Sequence, residues 1–589
     1  MRRQDDTPKI FYKNAVNAFN QNQFSDAVNY CEKSLAQAPD FAEPYHLLGI
    51  IAYTTESYEE AIGLAKKACE LIPNNATFHN SLGNILSKTG NIDKALSEYE
   101  TAIKLAPTST DPYINGAVAI NDLGDFTKAI ELLDTALLYN SSDERILFTK
   151  ANILQKNLQF QESEDVYQLL LNRNPDHEAA IVNLGTILTN TAREDEAQSL
   201  YTNATIRGLE TPTILFNLGY IFQQKKYFTE AKHLYQQVIA IDNLFDKAKA
   251  NLGTLFFEEG VFEEAINLFT QLNTSSNNFI EAKHNLIMCY QASQKLETMR
   301  DEIEAYLINC DIDETLSIEL KIYLSIYHWL NNNVKSCEAL LETLVEQIQK
   351  LGSTLNAFTS GYYSYLYSLI NTIKQQYYLP STVINKTIYA IGDSHALALA
   401  NLRIPKTDGN YLISSQLVVG SKMWHLANAE KNKFKSSFDI SLNNIPEGST
   451  VMFLFGEIDC RINEGIIHQL EKTNKNISNI VLPIIKNYLD FIKSRTSKRK
   501  LKVIICGIPA TNKEKKHYDD KQFENLLLII KIFNNHLMKL SHEYDFQTID
   551  TYSNTVCDSG ISNGSHHVDD CHLSPTYWFK LLQDYDFYN

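Results

Sequence analysis

At 589 residues the chain is longer than a single hydrophobic core organises, so several domains are expected. No apolar run is long enough to cross a bilayer, and a formal net charge of −17 argues against a nucleic-acid binder, whose affinity rests largely on neutralising phosphates. The nine cysteines are dispersed and no apolar stretch follows Met1-Arg2-Arg3-Gln4-Asp5-Asp6, so free thiols, no signal peptide and a reducing cytoplasm are expected.

The first half repeats itself every 34 residues. Ala27, Ala61, Ala95, Ala129, Ser163, Ala197, Ala231 and Ala265 form one series. Gly49, Gly83, Ala117, Ala151, Gly185, Gly219 and Gly253 form a second, and Pro39, Pro73, Pro107 and Pro175 a third, with Ser141 where one proline is absent. Four residues beyond the first series stand Tyr99, Tyr167, Tyr201, Tyr235 and Phe269. Two helices approach closely only where side chains are small, an aromatic ring fills the gap beside that contact, and proline stops the second helix. Asn115, Asn183, Asn217, Asn251 and Asn285 precede the Gly/Ala position by two residues, whereas Leu47, Ser81 and Thr149 occupy it elsewhere.

Period and pattern resemble the tetratricopeptide repeat over roughly residues 9 to 300, as eight repeats and a partial ninth around His284 to Tyr290. The resemblance implies an all-α superhelix with the asparagines on its concave face. A carboxamide there both donates to and accepts from a peptide backbone, and the series is similar to the asparagine ladder of O-GlcNAc transferase. It implies a groove that holds an extended protein segment; solvated groove positions are the plainer alternative. The repeats are assigned 1–298, and the helical but out-of-register stretch 299–380 reads as a cap and linker ending near Pro380-Ser381.

Past Asn385 short β-branched runs alternate with helical segments: Thr387–Ile391, Tyr411–Val419, Thr450–Phe455, Leu501–Cys506 and Phe546–Ile549. They predict an α/β/α three-layer domain, 384–589, around a parallel five-stranded sheet with functional groups at the strands' carboxyl ends. Gly392-Asp393-Ser394-His395 closes the first strand and leads into the small helical stretch Ala396–Ala400; Asp569-Asp570-Cys571-His572-Leu573 comes near the end.

Together these two blocks resemble the SGNH/GDSL hydrolase family. The resemblance implies Ser394 as nucleophile, His572 as general base and Asp569 as the acid that orients it. It implies Gly420 as an oxyanion donor, yet the family's Gly-x-Asn-Asp block reads here Gly456-Glu457-Ile458-Asp459-Cys460-Arg461, with Ile458 in place of the oxyanion-binding asparagine. Losing one such donor costs about 100- to 1000-fold in rate, and Arg461 is the candidate replacement. Asp393 and His395 are candidate pocket residues, although His395 equally fits the first turn of the helix. Cys557, His566, His567, Cys571 and His572 match no common zinc spacing, so neither metal nor cofactor is expected. The basic run Lys493 to Lys502 reads as a solvated face, while Lys513, Lys515 and Lys516 follow a strand toward the active face.

Three functions stay open. The first is a serine esterase or O-acyltransferase, acting on a protein-linked or glycan substrate brought by the repeats. The second is a non-catalytic scaffold with a degenerate SGNH domain, and the third, least favoured, is transfer of another group such as a sugar. The expected partners are a protein or glycoprotein segment and an acyl donor or glycan, with no nucleic acid and no membrane span.

Overall fold

Each 34-residue period folds as two helices of 12–14 residues joined by a short turn, from Thr7–Asn20 and Phe24–Gln37 to Pro212–Gln224 and Phe228–Ile241. The computed structural model describes residues 7–272, 279–309, 312–376, 383–461, 465–473, 476–512 and 519–587. The chain divides into two compact units, residues 1–241 and 242–589.

In the first unit the small-residue series lies at the helix contacts, with Ala27, Ala61, Ala95, Ala129, Ala197 and Ala231 fully buried. A β-carbon added at Gly83 would overlap the ring of Tyr99, and one at Gly185 the ring and hydroxyl of Tyr201. The tyrosine therefore occupies the volume that glycine leaves free.

The second unit opens with two more helix pairs, Asp246–Glu258 with Phe262–Thr270 and Phe279–Ala292 with Leu296–Asn309. The ninth repeat, expected as partial, thus has both its helices. Glu314–Leu330, Val334–Leu351 and Ala357–Gln376 follow, and then the sheet. Pro380-Ser381 and Lys513, Lys515 and Lys516 lie outside the described residues.

The sheet corrects one expectation: it is mixed and six-stranded rather than parallel and five-stranded. Its strands are β1 (Lys386–Gly392), β2 (Arg403–Lys406), β3 (Gly409–Leu417), β4 (Thr450–Leu454), β5 (Lys502–Cys506) and β6 (Gln547–Ile549), in the spatial order β2-β3-β1-β4-β5-β6. The five strands read from the sequence all pair in parallel, and the added β2 pairs antiparallel with β3. β2 is four residues long and carries Pro405, a residue that an edge strand tolerates and that weakens any sequence signal for a strand. It turns back through Thr407-Asp408 into Gly409, whose φ of 138° is open to glycine.

Alternate residues of the central strands enter separate cores. Ile388 and Ala390 of β1, Met452 and Leu454 of β4, and Ile504 and Cys506 of β5 face one side; Ile391, Val451, Phe453, Val503 and Ile505 face the other. The first core is completed by helices that precede the sheet: Ile322, Ile326, Trp329, Leu341, Tyr365 and Leu369 belong to it. The segment expected as a solenoid cap therefore supplies one covering layer of the α/β sheet.

Candidate active site

β1 leads toward β3 on one side, whereas β4 leads toward β5 on the other. The crevice beyond the carboxyl ends of β1 and β4 lies where these connections diverge, the usual place for a ligand in an open α/β sheet. Ser394 follows β1 and the Gly456–Arg461 block follows β4. At the end of β1 a β-carbon on Gly392 would come within 2.6 Å of the Leu454 carbonyl oxygen on the neighbouring strand. Gly392→Ala is therefore expected to force the strand ends apart, costing about 1–3 kcal/mol and displacing Ser394. A midpoint of unfolding equal to wild type would show that β4 yields freely.

The structure brings Ser394, His572 and Asp569 together. Ser394 Oγ lies 2.8 Å from His572 Nε2, and His572 Nδ1 lies 2.7 Å from Asp569 Oδ2. Asp569 Oδ1 also accepts from the backbone N–H groups of Cys571 at 3.0 Å and His572 at 2.8 Å. Although burial opposes its charge, these hydrogen bonds and the imidazole hold the Asp569 carboxyl well below the usual carboxylate range. Burial, and then the charge of His395, lower His572 despite Asp569.

The small helical stretch read as Ala396–Ala400 is a 3₁₀ turn of six residues, Ser394–Leu399, too short to bring a sizeable helix field to Ser394. Asp393 caps this turn by accepting from the His395 N–H at 3.0 Å, and its Oδ1 also meets His395 Nδ1 at 2.9 Å. His395 Nε2 lies 3.3 Å from the Cys571 carbonyl oxygen. Among the described residues the backbone N–H groups of Ser394 and Gly420 find no acceptor. Gly420 sits three residues past β3, with φ 68°.

Arg461 is not a free cation. Its Nε lies 2.9 Å and its Nη2 2.7 Å from Glu457 Oε2, so the guanidinium is paired along one edge. Burial works against the Glu457 charge, but Arg461 and then His395 hold it below its ordinary value. Ile458 is buried, and Asp459 accepts from the N–H groups of Met423 at 2.7 Å and Trp424 at 3.0 Å, fixing the segment after β3. Burial pushes Asp459 up to about 7.

Sequence reasoning missed Tyr365. Its ring stacks on His572 with centroids 3.9 Å apart and an interplanar angle of 19°, and its buried hydroxyl finds no partner among the described residues. It comes from Ala357–Gln376, and no sequence periodicity links that helix to a histidine some two hundred residues later. The Glu457–Arg461 pair, by contrast, had a signal in its four-residue spacing.

Of the residues weighed for zinc, Cys571 and His572 bring ligand atoms within 4.8 Å of each other and of His395, which was not among them, but the ring nitrogens of both histidines are already engaged. His567 Nδ1 lies 3.2 Å from Ser562 Oγ, and the His566 ring packs on Tyr577.

Asn115, Asn183, Asn217 and Asn285 each donate an N–H inside the protein. In the first unit Asn115 donates to Asn80 Oδ1 at 3.2 Å, Asn183 to Asn152 Oδ1 at 2.9 Å and Asn217 to Tyr201 Oη at 3.2 Å. In the second, Asn285 donates to Thr254 Oγ1 at 3.4 Å, and Asn251 is also engaged. These bonds reach back to the preceding repeat, so part of the series is inter-repeat cement. No helix among the described residues is long and apolar enough to cross a membrane.

Residues 12–76, 76–109 and 212–243 match family models of the tetratricopeptide repeat. No curated protein matches the chain. Among solved structures, a tetratricopeptide repeat protein from Parabacteroides merdae is 15% identical, covering 43% of this chain and 99% of its own at a TM-score of 0.33. A thermophilic TPR protein from Thermus thermophilus is 17% identical over 31% of this chain and 99% of its own, at a TM-score of 0.27. YrrB, described as a TPR protein with an unusual peptide-binding site, is 20% identical over 31% and 95%, at 0.25. Similarities this low carry no argument; the family-model matches and the helix pairs do. The chain carries tetratricopeptide repeats in its N-terminal half, an architecture built for binding other proteins.

Proposed function

We propose that the protein is a serine-dependent acyl-ester hydrolase or O-acyltransferase, with SGNH-like chemistry in residues 384–589 and protein recruitment by the repeats of residues 1–298. The observation that carries this reading is the unbroken chain from Ser394 Oγ through His572 to Asp569. In it, His572 Nε2 takes the Ser394 proton as Oγ attacks an acyl carbonyl, then returns it to the departing alkoxide. Water or an acceptor hydroxyl then releases the acyl group by the reverse sequence. The open N–H groups of Ser394 and Gly420 are the oxyanion donors, and Arg461 lines the pocket beside them, while Asp393 and His395 stand behind His572. The substrate is an ester on a protein or glycan, held by a segment bound along the repeats, where the asparagine carbonyls face a peptide N–H. Tethering raises the effective concentration of that ester at Ser394.

The test is labelling by a fluorophosphonate probe, with Ser394→Ala as control. Labelling that disappears with the serine supports an activated nucleophile. Folded protein that never labels favours the second reading, a non-catalytic interaction protein. Two features support that alternative: Ile458 where the family's oxyanion asparagine stands, and an Arg461 already paired with Glu457.

A further inference from the structure

Two histidines stand side by side at this site, and their hydrogen-bond partners assign them different charges. His572 has one ring nitrogen against a carboxylate and the other against a hydroxyl, which is able to donate. That set suits a neutral imidazole with its proton on Nδ1. His395 has Nδ1 2.9 Å from a carboxylate oxygen of Asp393 and Nε2 3.3 Å from the backbone carbonyl of Cys571. Both partners only accept, so each nitrogen needs a proton. The two ring centroids are 4.4 Å apart.

We propose that His395 is held as an imidazolium whose charge keeps the neighbouring His572 unprotonated, so that the base stays ready under mildly acidic conditions. A second positive charge on His572 would stand against a cation already fixed beside it, in a buried setting where water screens little. The other groups facing His572 are Asp569 and Cys571 on its own loop, Asp393 on the 3₁₀ turn, Glu457 from the end of β4, and Tyr365 stacked on its ring. Asp569 and Glu457 favour protonation of His572, and His395 is the charged neighbour that opposes it. Burial and, more weakly, the Arg461 charge draw His395 down, but the Asp393 carboxylate and then Glu457 outweigh them and raise it to about 9. His395 thus keeps its charge throughout the range in which an ordinary histidine titrates. Its effect reaches substrate only through His572, which makes it a positioning residue.

The proposal rests on His572 serving as the base of Ser394, and its test separates the two ideas. Carbon-13 labelling of the imidazole Cε1 in the full chain follows all 15 histidines by NMR without any substrate. One signal, absent in His395→Gln, is expected to keep imidazolium character from pH 5.5 to 8. A wild-type spectrum in which every histidine reaches the neutral form by pH 8 overturns the proposal, even if the variant does not fold. Fluorophosphonate labelling rates against pH then read the effect on the base. In folded His395→Gln the acid limb is expected to move to higher pH, with labelling at pH 5 slowed several-fold relative to wild type and labelling at pH 8 retained. An unchanged limb overturns the proposal. Absence of labelling at every pH would instead sink the nucleophile reading, while the NMR result still decides the charge on His395.

Discussion

Asp569→Asn is expected to slow fluorophosphonate labelling of Ser394 by about 10⁴-fold while leaving the fold in place. The carboxylate performs two separable tasks. Its Oδ1 accepts the N–H groups of Cys571 and His572, which shapes the loop, and its Oδ2 accepts the imidazole proton on Nδ1. An asparagine keeps an oxygen for the first task. Its amide group then faces Nδ1 and donates where the carboxylate accepted, so the imidazole must carry its proton on Nε2 instead. That nitrogen faces Ser394 and can no longer take the hydroxyl proton. Circular dichroism should therefore stay near wild type and the unfolding midpoint fall somewhat, with the loss of a carboxylate held in its charged form, while the labelling rate collapses. A rate within tenfold of wild type would mean that His572 is not the base, or that its tautomer is not set by Asp569.

The residues of this chain of hydrogen bonds were legible in the sequence because each belongs to a short local block. Gly392-Asp393-Ser394 closes a strand of β-branched residues, and Asp569 stands three residues before His572, a spacing that lets one loop bond both the backbone and the ring. The repeats were legible for a different reason. Small and aromatic residues recurring at 34 positions are the direct imprint of helix contacts such as Gly185 with Tyr201. What stayed hidden depends on tertiary proximity. Tyr365 reaches His572 only because the helix Ala357–Gln376 lies against the sheet, and a tyrosine in an amphipathic helix carries no mark of that. β2 was hidden by Pro405 and its four-residue length, although the Asp408-Gly409 turn beside it was a signal. Arg461 was read as the candidate replacement for the missing oxyanion donor, and the acid four residues before it, which claims one edge of the guanidinium, was not weighed.

Trp329→Ala is expected to cost about 3–5 kcal/mol in the second unit, the usual range for truncating a buried aromatic residue. Trp329 is 2% exposed, and its Nε1–H donates to the Leu397 carbonyl oxygen at 2.9 Å. Leu397 belongs to the 3₁₀ turn that begins at Ser394. Asn401 answers from the sheet side, donating through Nδ2 to the Trp329 carbonyl at 2.9 Å and to that of Leu330 at 3.2 Å. The helix Glu314–Leu330, which precedes the first strand by more than fifty residues, therefore fastens the segment that presents the nucleophile. Removing the indole leaves a cavity in the core shared with β1 and β4 and takes one of two donors from the Leu397 carbonyl, which still accepts the Ala400 N–H at 3.1 Å. Trp329→Phe keeps most of the packing and loses one hydrogen bond, so it should cost less, about 0.5–1.5 kcal/mol. Under conditions where both variants remain folded, the labelling rate of Ser394 should fall in the same order as stability. Full stability in Trp329→Ala would detach the preceding helices from the α/β sheet, and residues 384–589 would then be expected to fold alone.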